Sequence, residues 1–127
     1  MARFKSVSGD VYVGEFAENE FHGSGQLTFK DGSFYNGAFE RGKRHGEGQL
    51  IYDMQTAEMY RGEWREGKPE GSGSYIRKDG SLVEAQWSEG RLRMDIEGYF
   101  IRNGERKDIR TELSEEERLD LQSIVLT

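Results

Sequence analysis

Two histidines, His22 and His45, stand 23 residues apart, and Glu70 occupies a third position at nearly the same spacing. A His/His/Glu set is the kind of constellation that can ligate zinc. Zinc sites commonly use three or four protein ligands, and here only two imidazoles and one carboxylate are on offer. Glu15 and Glu63 each sit in a Gly-Glu-aromatic phrase. A general acid–base pair of carboxylates would need a pocket to separate their pKa values, and nothing near either residue suggests one. Gly23-Ser24-Gly25, Gly46-Glu47-Gly48 and Gly71-Ser72-Gly73 look like glycine-rich phosphate cradles. A dinucleotide loop, however, lies once in a chain, between a strand and a helix. Arg41, Lys43, Arg44, Arg61, Arg65 and Lys68 form a basic cluster in which Lys43, Arg44, Arg65 and Lys68 are candidate anion-binding residues. Glu40, Glu47, Glu63 and Glu66 dilute its field, and surface attraction scales with clustered net charge.

All of these candidates recur in register, so a repeat must position them. The phrase YRGEWREGKPEGSG at residues 60–73 appears as YVGEFAENEFHGSG at 12–25 and as YNGAFERGKRHGEG at 35–48, with a decayed copy, VEAQWSEGRLR, from Val83. Tyr12, Gly14 and Phe16 alternate with Val13 and Glu15, which is a strand period. A polar turn follows, then a second strand over 23–30, closed by Asp31-Gly32, a tight-turn pair. Each unit therefore reads as a two-stranded hairpin. The units span residues 9–30, 31–53, 54–78 and 79–104, within a repeat body of 9–104. Residues 1–8 read as a leading half-repeat with a strand at 2–5. The exit of the second unit carries two extra residues, so residues 53–58 predict a longer loop or a bulge. The fourth unit keeps Val83, Ala85 and Trp87 on its first strand and regains a second over 98–102. Terminal repeats are expected to be atypical because they cap the stack.

Isolated hairpins are marginal in water, but stacked ones share one sheet. The glycine rows Gly14, Gly37 and Gly62 are expected to lie under aromatic rings of the next unit. This assigns the glycines to stacking rather than to phosphate binding. It likewise assigns His22 and His45 to structural turn positions, and Glu15 and Glu63 to cross-strand pairing. The tail, residues 105–127, changes period. Ser114 with Glu117 forms a capping-box pattern, which predicts a helix from about Glu115 to Ile124. Leu121, Ile124 and Val125 are placed on one face, and the helix docks either on its own sheet or on a partner.

Composition agrees with a modest core. The chain has 127 residues with 34% hydrophobic, 33% charged and 12% aromatic residues, 17 glycines and a formal charge of −6. Sixteen bases face 18 acids through residue 107, and two face six beyond it. That balance offers no basic face for nucleic acid. The absence of cysteine removes disulfide, thiolate-metal and thiol chemistry. No apolar run approaches membrane-spanning length, and residues 1–10 lack the apolar core of a signal peptide.

The recurrence of aromatic, glycine and turn positions over residues 9–104 resembles the MORN repeat (membrane occupation and recognition nexus). The resemblance implies an all-β fold, an elongated twisted antiparallel sheet of stacked hairpins, here with a short C-terminal α-helix. It also implies a non-enzymatic scaffold or accessory subunit of the kind found in cilia and flagella, protist cytoskeletons and membrane junctions. Ala38 in place of Glu, Ala85 in place of Gly, and Met94/Ile96 in place of the second glycine pair depart from the pattern. The expectation is therefore a protein without cofactor, metal or small-molecule substrate. It would bind other protein chains of a large assembly along an aromatic groove (Tyr12, Phe16, Tyr35, Phe39, Tyr60, Trp64, Tyr75, Trp87) and at the repeat ends. The same eight rings could instead fill the ribbon's own core. The expected location is intracellular, cytoplasmic or cytoskeletal, in a cilium or flagellum, with a mitochondrial complex as the alternative. Peripheral contact with anionic lipid head groups is the second functional reading.

Overall fold

The computed structural model describes residues 2–127; Met1, the first residue of the leading half-repeat, lies outside them. Eleven strands and one helix follow in order: β1 (Ala2–Lys5), β2 (Val11–Ala17), β3 (Glu20–Thr28), β4 (Phe34–Glu40), β5 (Lys43–Asp53), β6 (Glu58–Arg65), β7 (Lys68–Ile76), β8 (Leu82–Ser88), β9 (Arg91–Leu92), β10 (Tyr99–Arg102), β11 (Glu105–Asp108) and α1 (Glu115–Gln122). They form one open antiparallel sheet in which each strand from β1 to β8 pairs with the next; β8 then pairs with both β9 and β10, and β10 with β11.

The hairpins turn on two residues. Ala17 pairs with Glu20, Glu40 with Lys43, Arg65 with Lys68, and Ser88 with Arg91. The turn residues Glu18-Asn19, Arg41-Gly42, Glu66-Gly67 and Glu89-Gly90 all have positive φ. That is the type I′ geometry, whose twist matches the flanking strands. It corrects the expected strand start: β3 begins at Glu20 rather than at residue 23, because the turn needs only Glu18 and Asn19. Between repeats, Ser33 donates its backbone N–H (2.9 Å) and its hydroxyl (2.6 Å) to Asp31, fixing the Asp-Gly corner. Asp79 does the same for Ser81. The long exit after β5 is both a loop and a bulge, since the register slips between Ile51 and Asp53.

The β2–β3, β4–β5 and β6–β7 hairpins each carry a bulge opposite the middle of their first strand. Glu15 alone faces His22, Gly23 and Ser24, because Gly14 pairs with Gly25 while Phe16 pairs with Phe21. Ala38 faces residues 45–47 and Glu63 faces residues 70–72 in the same way. Gly23, Gly46 and Gly71 supply a positive φ at each bulge, where a side chain would be strained.

The C-terminal region departs most from expectation. The returning strand of the fourth unit is split into β9 and β10, and Asn103-Gly104 turns the chain into β11, a strand where the sequence pattern suggested only tail. The helix is shorter than predicted, ending at Gln122, and its capping box is formed by Ser114 and Glu117. It docks on its own sheet. Arg77 holds Asp120 through two bonds of 2.7 and 2.9 Å, and Lys107 meets Glu117 at 3.1 Å. Leu121, Ile124 and Leu126 are buried, whereas Val125 points outward. Val125 instead bridges Arg91 through its backbone, so the chain has left the helical period by then.

Candidate functional site

One face of the sheet is a row of rings. Tyr12, Leu27, Tyr35, Leu50, Tyr60, Tyr75, Val83 and Phe100 lie in direct cross-strand register. Each repeat tyrosine lies flat across the glycine of its own second strand. A Cβ on Gly25, Gly48 or Gly73 would fall 2.3, 2.1 and 1.9 Å from the hydroxyls of Tyr12, Tyr35 and Tyr60. Gly14, Gly37 and Gly62, expected under a ring of the next unit, also face the tyrosine of their own hairpin: an added Cβ would lie 2.6, 2.9 and 3.0 Å from the hydroxyls of Tyr12, Tyr35 and Tyr60. The tyrosine hydroxyl then donates to the carbonyl of the residue facing the bulge: Tyr12 to Glu15 (2.7 Å), Tyr35 to Ala38 (2.8 Å), Tyr60 to Glu63 (3.1 Å). Burial raises all three hydroxyl pKa values above the ordinary tyrosine value, so they remain donors.

The next unit supplies the second ring layer. Tyr12 meets Phe16 and Phe39 edge-on, both at 5.1 Å; Tyr35 meets Phe39 at 5.0 Å and Trp64 at 5.2 Å; Tyr60 meets Trp64 at 5.3 Å and Trp87 at 5.6 Å. Trp64 and Trp87 donate their indole N–H to the carbonyls of Gly48 and Gly73 at 3.0 and 3.1 Å. Edge-on pairs of this kind add about 0.5–1.5 kcal/mol each beyond area burial.

This packing decides where the candidate groove residues stand. Tyr12, Tyr35, Phe39, Tyr60, Trp64, Tyr75 and Trp87 are buried in the ribbon's own core. They are not free surface. Phe16 alone is exposed, at 36%. The core reading of these rings, open from the sequence, is the one the structure supports for seven of the eight.

The structure places the basic cluster among rings and carboxylates. Arg44 is drawn inward, its guanidinium 4.7 Å from the Trp64 ring and 5.9 Å from Tyr35, donating to the Gly67 carbonyl at 2.8 Å. Desolvation lowers its pKa, opposed by Tyr52 and Tyr35. It takes the place that Phe21 fills in the first repeat, where Phe21 stacks on Tyr12 at 3.8 Å. Lys43 pairs with Glu66 at 3.6 Å. Arg65 and Lys68 share an open recess with Glu66, Glu70 and Glu89.

Glu15, Glu63 and His45 make contacts within the repeats, and His22 is exposed. Glu15 accepts the Ser24 backbone N–H and Glu63 that of Ser72, both at 2.6 Å, closing the bulges. His45 lies 3.2 Å from Glu40 and accepts the Glu66 N–H at 3.3 Å. Among the described residues, no three His, Asp or Glu side chains converge in a metal-binding geometry, and no helix is long and apolar enough to cross a membrane.

The opposite face was missed by the sequence reading. Val11, Thr28, Phe34, Ile51, Met59, Ile76, Leu82 and Ile101 stand in one unbroken cross-strand row. All eight are half-buried. At the strand spacing of about 4.8 Å the row runs roughly 34 Å. Beside it, two residues along each strand, runs Val13, Gln26, Asn36, Gln49, Arg61, Ser74, Glu84 and Tyr99. The row was legible only as the minor phase of the alternation, since its members come one per strand.

The family model described as MORN repeat matches residues 12–34, 35–56 and 60–82. No curated protein gives a significant sequence match to the chain.

Proposed function

The chain belongs to the MORN-repeat family, whose units are protein- and membrane-interaction repeats, and on that premise we propose that it acts as a non-enzymatic scaffold holding another polypeptide. The observation that carries this reading is the apolar row on the face opposite the rings. The aromatic face is spent on the fold, so the surface left for a partner is its reverse. A contiguous, half-buried apolar strip that keeps part of its surface open to solvent can serve as an interaction surface. Its flank is largely uncharged amide and hydroxyl, with one base (Arg61) and one acid (Glu84). That chemistry matches a polypeptide, which offers amides and apolar side chains together. It does not match an anionic head-group layer, which needs clustered bases.

The test places charge in the row. The Ile51→Glu/Ile76→Glu variant is compared with the parent protein, tryptophan fluorescence confirming that the fold persists. A photo-crosslinker at Met59 is expected to label a polypeptide partner, and the double variant to abolish labelling. Salt-sensitive flotation of the purified chain with phosphatidylserine vesicles, lost on reversing Lys43 and Lys68, would replace this reading with the lipid one.

A further inference from the structure

The two ends of the ribbon differ. At the C-terminal end α1 and the segment after it cover the last hairpin, and the β11 edge is charged throughout: Lys107 is tied to Glu117, and Asp108 to Arg110 at 3.1 Å. At the other end, β1 has β2 as its one neighbour among the described residues, and all four of its residues are exposed. Phe4 is 48% exposed. With Phe16, Asn19, Glu20, Phe21 and Gly42 it lines an open recess of about 270 Å³.

The repeat itself shows what this recess takes. Phe4 pairs with Tyr12 as Leu27 pairs with Tyr35 and Leu50 with Tyr60, so β1 is the second strand of a unit. In the three later units the ring equivalent to Phe16 (Phe39, Trp64, Trp87) is sealed by the tyrosine of the preceding first strand. Each of those rings is no more than 3% exposed. Among the described residues Phe16 has no such cover, and it is 36% exposed. Charge narrows the occupant. Residues 2–9 hold Arg3 and Lys5 and no acid. Like charges facing each other across strands are destabilising, so these bases oppose pairing with β1 of a second copy and favour an acidic strand.

We infer that the outer edge of β1 is a strand-addition site for an extended acidic segment whose inward apolar side chain seats over Phe4. Main-chain hydrogen bonds give such a site its affinity, and the alternating pockets give it specificity. Ala2 limits the inward residue. It stands in register where Gly25, Gly48 and Gly73 stand, and its Cβ takes space a tyrosine ring would need. A branched aliphatic side chain fits there, as Val83 does in the tyrosine position of β8.

The probe is therefore a synthetic peptide copying residues 81–89, SLVEAQWSE, titrated into the isotope-labelled full chain and followed by amide chemical shifts. Saturable shifts confined to residues 2–5, 12–21 and Gly42 are expected, weakening with salt. Arg3→Glu/Lys5→Glu, which alters only exposed side chains, is expected to weaken binding about tenfold or more. A scrambled peptide is expected not to bind. The Ile51→Glu/Ile76→Glu variant should bind the peptide unchanged, which separates this edge from the face used in the proposed function. Absence of binding at millimolar peptide, shifts centred on β11 or the opposite face, indifference to the charge reversal, or self-association through β1 would each overturn the assignment.

Discussion

Replacing Gly73 by alanine pits backbone preference against packing, and the two predict opposite signs. Gly73 lies in β7 outside the left-handed region of φ, so alanine is free to adopt its conformation. On propensity alone the change should stabilise by about 0.5–1 kcal/mol. The added Cβ, however, would stand 1.9 Å from the Tyr60 hydroxyl and 2.3 Å from Cζ of its ring. The ring must move. Overpacking of this kind costs about 1–3 kcal/mol. Loss of the 3.1 Å bond from Tyr60 to the Glu63 carbonyl adds about 0.5–1.5 kcal/mol. The net expectation is a destabilisation of about 0.5–4 kcal/mol. Urea unfolding followed by fluorescence of the buried Trp64 and Trp87 reads it directly. A double-mutant cycle with Tyr60→Ala isolates the cause. Once the ring is gone, Gly73→Ala should be neutral or stabilising by up to about 1 kcal/mol. If the substitution stabilises the parent protein, or costs the same with and without the ring, the ring-over-glycine account is wrong.

Three further outcomes follow from single contacts. The Tyr52 hydroxyl is buried with no hydrogen-bond partner among the described residues, so Tyr52→Phe should leave the melting temperature unchanged or raise it, by at most the equivalent of about 1–2 kcal/mol; a clear loss would reveal a partner for that oxygen. Gly90 has φ +83, and a Cβ there would lie 2.0 Å from the Leu126 carbonyl, so Gly90→Ala should release the tail and speed its proteolysis relative to the repeat body. Asp120 has its pKa lowered, chiefly by the hydrogen bonds from Arg77. The stability it adds is therefore present above its unfolded value and lost as pH falls through the lower folded one. With partial solvent exposure the pair is worth about 1 kcal/mol or less. Asp120→Asn should remove that amount at neutral pH and flatten the acid limb of the thermal melts below about pH 4.

The periodic part of the fold was legible because each strand repeats the same alternation. Tyr12, Gly14 and Phe16 announce a strand face, and Asp31-Gly32 announces a corner. What the sequence could not show was direction. Nothing in the spacing says whether the Tyr12 ring folds over its own Gly25 or over a neighbouring unit's glycine; the bulge at residues 22–24, marked in the sequence only by the recurring Gly23, Gly46 and Gly71, accompanies the first arrangement. Arg44 was misjudged for the same reason: it looks like surface charge until the ring layer closes round its guanidinium. β11 was hidden because Glu105, Arg106, Lys107 and Asp108 carry no alternation at all. Their pairing with β10 follows from the Asn103-Gly104 turn, where Asn103 and Gly104 both have positive φ. The opposite row was hidden because Ile51 and Ile76 come one per strand and form no cluster along the sequence.

The strand order has a kinetic side. Every pairing from β1 to β8 joins elements adjacent in sequence, so the loops closed during assembly are short and their entropic cost is small. Proteins dominated by such local contacts fold faster than sandwiches or barrels of similar size. The long closures belong to the tail: Arg77 to Asp120 spans 43 residues, and Arg91 bridges Val125. The ladder can therefore zip from hairpin to hairpin as it leaves the ribosome, with the helix arriving last as a latch. Stopped-flow refolding should show tryptophan burial ahead of a slower phase that Asp120→Asn weakens, and a single concerted phase would speak against that order.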